Sequence, residues 1–143
     1  IEAEWYQKFT IHPSVSLLQN QTYTLLKNAF AAIVTSGTAT LETALFGVPQ
    51  MICYKSSGLS YAIAKRIVKL DYISLVNLIL DKEVVKELIQ NDCTTEKIAA
   101  TLKRLGEENI RQQIELDYNS LTQSLGEKNA SQTVAQKIVG SIK

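Results

Sequence analysis

One histidine and two cysteines in 143 residues leave almost nothing to build a zinc site. Cys53 and Cys93 stand at no metal-like spacing, so no metal is expected. Cys53 lies in the apolar run MICY and reads as a reduced, buried thiol. That fits the cytosol, with a disulfide as the alternative. No apolar stretch reaches the ~20 residues of a membrane-spanning helix. The net charge of +1 offers no case for nucleic acid as a partner. The opening Ile1-Glu2-Ala3-Glu4-Trp5 lacks the basic start and apolar run of a signal peptide. An initiator methionine is also lacking, and the expectation is a piece of a longer protein or a processed chain. Neither G-x-x-x-x-G-K-[ST] nor G-x-G-x-x-G occurs.

What is present is ordinary for a globular domain: 45% apolar and 20% charged residues, with enough length for one core. Three short apolar runs read as strands: Val15–Leu18, Ala32–Thr35 and Gln50–Tyr54. None alternates strictly, as in parallel sheets buried on both faces. Helical segments lie between them, over about 22–30 and 38–46, and a third runs over about 59–69. Tyr72–Leu75 reads as one more short strand. Strand-helix alternation at this spacing predicts an α/β fold, a partial doubly wound (Rossmann-like) parallel sheet. From residue 82 the pattern turns helical, over about 83–90, 95–105, 107–124 and 130–142. Thr94 or Thr95 can cap one start, and Asn129–Gln132 has capping-box spacing. Val134, Ile138 and Ile142 form an apolar stripe on the last helix that must bury against something. The expected organisation is an α/β part over 1–94 and a helical segment over 95–143, packed on that part or on a partner chain.

The stretch TSGTATLE, residues 35–42, joins the second strand to its helix. Free backbone N–H groups and the helix dipole favour an anion there. Gly37 permits close backbone approach, and Ser36, Thr38 and Thr40 add hydroxyl donors. Glu42 can accept two hydrogen bonds from a cis-diol such as a ribose. A diphosphate grip and a diol acceptor one turn apart suit a nucleotide or nucleotide sugar. The plainer alternative is a helix cap followed by a solvated first-turn acid.

TSGTATLETALFGVPQMICYK (35–55), followed by YISLVNLILDKEVVKELIQNDCT (72–94), strongly resembles the lipid-A-disaccharide synthase family. SLLQNQTYTLLKNAFAAIV (16–34) and the tail also fit it. The resemblance implies the C-terminal domain of a two-domain GT-B glycosyltransferase. It implies transfer of 2,3-diacylglucosamine from UDP-2,3-diacylglucosamine to 2,3-diacylglucosamine 1-phosphate, giving the lipid A disaccharide 1-phosphate and UDP. No cofactor is needed. The implied place is cytoplasmic, peripheral to the inner membrane.

By this resemblance Ser36, Gly37 and Thr38 hold the UDP diphosphate and Glu42 the ribose. Asn77, in SLVN, orients phosphate or sugar, and Tyr54 stacks on the uracil or merely ends its strand. Glu87 and Gln90 line the rim of the cleft or lie on a solvated helix face. One departure is Val76, where the family usually has proline. The resemblance also implies that an N-terminal domain, its acidic catalytic residue and an Arg loop lie outside these residues. No catalytic residue and no transferase activity are therefore expected of this chain alone. A bare sheet edge, at Val15–Leu18, and the unpartnered stripe predict a homodimer, with exchanged C-terminal helices as one form. Gly58–Lys69 reads either as a membrane-facing amphipathic helix or as a packed helix with basic residues at its end. His12 reads as a loop residue. The competing readings are another UDP-sugar GT-B enzyme, an epimerase or glycosyltransferase, and a non-catalytic nucleotide-binding module.

Overall fold

The computed structural model describes residues 3–10, 12–35, 37–56, 71–126 and 130–141. In chain order these residues form α1 (Ala3–Gln7), α2 (Thr22–Asn28), β1 (Ala32–Val34), α3 (Thr38–Leu45) and β2 (Gln50–Tyr54). There follow α4 (Leu75–Leu80), β3 (Lys86–Ile89), a 3-10 turn (Gln90–Asp92), α5 (Thr95–Arg104), α6 (Glu108–Leu125) and α7 (Ala130–Ser141). The expected helix over 59–69 and the capping residue Asn129 lie outside the described residues.

The sheet is parallel, in the order β1-β2-β3. Ile33 pairs with Met51, and Ile52 with Glu87. β2 is central, and Gln50, Met51 and Ile52 are all buried, which explains its unbroken apolar run. Crossovers in a parallel sheet bring all strand C-termini to one edge. The turn after β1, Lys55–Ser56 after β2 and Gln90 after β3 therefore share that edge.

Helical residues cover the sheet. On α6 the buried positions Ile114, Asp117, Tyr118 and Leu121 recur at helical spacing. Ile114, Tyr118 and Leu121 join Ala44, Met51, Val76, Val85 and Leu88 in one core. Arg111 anchors α6 to the start of β1: its guanidinium lies 4.4 Å from the Phe30 ring centroid and donates to the Phe30 carbonyl at 3.0 Å. Lys82 Nζ meets Asp117 Oδ1 at 2.5 Å, tying the end of α4 to the same helix. The Thr94 hydroxyl caps α5, accepting from the Lys97 amide.

Three expectations are corrected. Val15–Leu18 is exposed irregular chain rather than a strand. Strand formation depends on a ladder partner more than on the run's own propensity, and these residues pair with none of the described strands. β1, where Ile33 is 52% exposed, forms that edge of the sheet instead. Residues 83–90 are not a helix: Lys86–Ile89 is β3, and Leu88 is buried beside Cys53. Tertiary pairing overrides a Lys/Glu-rich pattern here, and the Val84 and Val85 amides bond to a side chain instead of entering a helix. Tyr72–Leu75 is not a strand of the sheet. Only Ser74 bridges, to Gly37, and α4 begins one residue later.

Both cysteines are free thiols. The described part of α7 from Val134 onward is exposed, so Val134 and Ile138 do not join the core formed by the described residues. Among the described residues, no helix is long and apolar enough to cross a membrane.

Candidate functional site

Gly37 is the N-cap of α3, with φ +79° and ψ −155°. A side chain there would meet nothing within 4 Å, so glycine is required by backbone conformation and not by crowding. The Gly37 carbonyl accepts from the Thr40 amide at 3.1 Å and from the Thr40 hydroxyl at 2.8 Å. Thr40 is therefore not a ligand hydroxyl, contrary to expectation: it is fully buried and its O–H is spent on closing the turn. Thr38 is exposed at the first turn of α3, where helix amides lack intrahelical partners. Ser36 lies outside the described residues.

Glu42 follows Thr38 by four residues on α3, so the two share a face. Glu42 also helps line a groove of about 490 Å³ with Asn20, Gln21, Thr22, Tyr23 and Thr24. Tyr23 stacks on Phe46 with ring centroids 5.4 Å apart, which fixes that wall. Residues 20–24 are neighbours of Glu42 that the sequence did not reveal. Nothing in that polar stretch signals its place; the return of α2 onto α3 does.

Asn77 is fully buried in the first turn of α4. Its Oδ1 accepts from the Val84 and Val85 amides at 2.8 and 2.9 Å. Its Nδ2 donates to the Val85 carbonyl at 2.8 Å and to Glu87 Oε1 at 2.9 Å. Two donors and two acceptors exhaust an amide. Val76, beside Asn77 in the same turn, packs wholly inside the core.

Glu87 is on β3, not on a solvated helix face. Its carboxylate turns inward and accepts from the Ile73 and Ser74 amides at 2.9 and 3.0 Å. Gln90 follows β3 with φ +52°. Its Oε1 accepts from the Ser56 amide, and its Nε2 donates to the Ser56 hydroxyl at 3.1 Å. Gln90 thus staples the exits of β2 and β3 together. Tyr54 ends β2, half-buried and paired with Ile89.

These features define a Rossmann-like α/β protein whose glycine turn and Gln90 rim lie at the carboxyl edge of a parallel sheet, with the groove lined by Glu42 on α3. In such folds ligands occupy that edge. A family model described as lipid-A-disaccharide synthetase matches residues 2–139. The chain is 42% identical over 132 residues to a lipid-A-disaccharide synthase of Syntrophus aciditrophicus, covering 92% of this chain and 34% of the relative. A lipid-A-disaccharide synthase of Sulfurihydrogenibium sp. is 40% identical over 84% of this chain and 31% of its own length. One from Psychromonas ingrahamii is 44% identical over 74% of this chain and 28% of its own length. The chain belongs to the lipid-A-disaccharide synthetase family. It spans about a third of the length of these relatives.

Proposed function

We propose that this chain is the nucleotide-gripping part of an enzyme that moves 2,3-diacylglucosamine from UDP-2,3-diacylglucosamine to 2,3-diacylglucosamine 1-phosphate, releasing UDP. Ser36, Gly37 and Thr38 take the diphosphate, with backbone amides at the start of α3 stabilising the charge that builds on departing UDP. Glu42 accepts from the ribose hydroxyls, and the groove beside it takes the rest of the nucleoside. Tyr54 and Gln90 belong to the rim. Asn77 serves through the backbone it holds. The observation that carries this reading is the stacking of Gly37, Thr38 and Glu42 along one end of α3, with Glu42 opening into the groove.

The acceptor hydroxyl is activated by a group outside these residues. The protein works at the cytoplasmic surface of the inner membrane. The exposed apolar residues of α7, with Val139 66% exposed, support a homodimer with exchanged C-terminal helices. A clean monomer in light scattering at high concentration counts against the dimer.

Calorimetric titration with UDP tests the grip, with UMP and ADP as controls. Millimolar or tighter binding is expected, weakened by Glu42→Ala. Gly37→Ala weakens it as well, because a Cβ at φ +79° costs about 1–3 kcal/mol of backbone strain and pulls the turn out of shape. UDP binding that survives both substitutions unchanged would reduce the turn to a helix cap.

A further inference from the structure

The inward carboxylate of Glu87 has no role in the reading above. Its Oε2 accepts from the Ile73 amide at 2.9 Å, and its Oε1 from the Ser74 amide at 3.0 Å and from Asn77 Nδ2 at 2.9 Å. Three N–H donors converge on one carboxyl group, one on Oε2 and two on Oε1, which holds it firmly against the Ile73–Ser74 backbone. Ser74, fully buried, is the residue whose backbone bridges in parallel to Gly37. The Ser74 hydroxyl in turn accepts from the Asn77 amide at 3.3 Å. A continuous chain of hydrogen bonds thus runs from β3 through Glu87 to the backbone against which Gly37 rests.

We propose that Glu87 is a positioning residue for the phosphate turn: its carboxylate fixes the Ile73–Ser74 backbone, and the Ser74–Gly37 bridge transmits that placement to the start of α3. This rests on the nucleotide reading of the turn. Direct contact with the ligand is the poorer role for Glu87, because a carboxylate facing a diphosphate repels it. Acting from behind, the same charge orders donors without meeting the phosphate. Glutamine in its place turns one N–H donor toward another, so the Ser74 segment shifts and the turn shifts with it. Small displacements at a binding or reacting centre have disproportionate effects.

The test compares the full chain with Glu87→Gln, Glu87→Asp and Ile114→Val, the last a mild core truncation on α6 away from the network. UDP and uridine affinities are measured by calorimetry, and amide hydrogen exchange is followed at residues 37–40 and 73–77. Glu87→Gln is expected to weaken UDP roughly tenfold while uridine stays within about twofold, because only the phosphate turn has moved. Exchange at 37–40 and 73–77 accelerates together. Glu87→Asp keeps the charge on a shorter arm and is expected to fall between; it carries the test if the glutamine variant does not fold. Ile114→Val leaves the UDP to uridine ratio unchanged. The inference is overturned if Glu87 variants free residues 73–77 without moving 37–40, or if UDP and uridine weaken equally, as general destabilisation predicts. Failure of the unsubstituted chain to bind UDP sinks the nucleotide reading alone, and the exchange measurement then decides whether Glu87 sets the turn.

Discussion

The Tyr118 hydroxyl donates to the Val48 carbonyl at 3.2 Å, joining positions 70 residues apart in sequence. The same oxygen accepts from Gln50 Nε2 at 3.2 Å. One phenol thus seats α6 on the start of the central strand and satisfies two buried groups.

Tyr118→Phe is expected to cost about 1–3 kcal/mol, because the ring still packs while buried polar groups lose their partner. Chemical denaturation of both proteins measures it. The same residue gives a pH signature. Burial pushes the Tyr118 phenol from 10.0 up to about 12. The unfolded state therefore loses its proton first. The contribution is intact below pH 10 and declines as pH rises toward 12, by roughly 3 kcal/mol over two pH units. Tyr118→Phe removes that part of the alkaline decline, and an unaltered slope would contradict it.

Asn77 has no slack. Asn77→Ala leaves the Val84 and Val85 amides and the Val85 carbonyl without their partner, and a loss of roughly 3 kcal/mol or more follows. Asn77→Asp places a second carboxylate beside Glu87 and faces the Val85 carbonyl with an acceptor, so it too destabilises at neutral pH. Urea midpoints of the two variants check both expectations. A shift below about 1 kcal/mol in Asn77→Ala would show that water replaces the amide there.

Cys53 is a quiet thiol. Burial, with a smaller effect of neighbouring Cys93, raises its pKa from 9.0 to about 11. Little thiolate is present near pH 8, so alkylation of Cys53 in the folded chain runs roughly tenfold or more slower than in the urea-unfolded chain. Peptide mapping after timed iodoacetamide treatment reads the rate, and equal rates in the two states would refute the burial argument.

Much of the architecture was legible along the chain. The apolar runs of β1 and β2, the glycine turn before α3, the Thr94 cap and the extent of the long helix α6 are signals written in adjacent residues. The family was legible too, because its motifs are contiguous blocks. β3 was hidden: DKEVVKELIQ carries helix formers, and only pairing with β2 makes it a strand. Val15–Leu18 erred the other way, strand-like in composition but without a ladder here.

The site divides along the same line. The strand–turn–helix at 35–42 was determined by the sequence alone, since an apolar run, a small glycine-containing turn and a helix N-terminus are local facts. Which hydroxyl faces outward was not. Thr40 turns in to the Gly37 carbonyl and Thr38 stays exposed, a difference that the approach of Gln50 and the core decides. Likewise Asn77 and Glu87 are polar letters in sequence and a buried network in space. Hydrogen-bond partners, unlike turn propensities, are chosen among groups far apart along the chain, and only the packed fold brings those groups within reach.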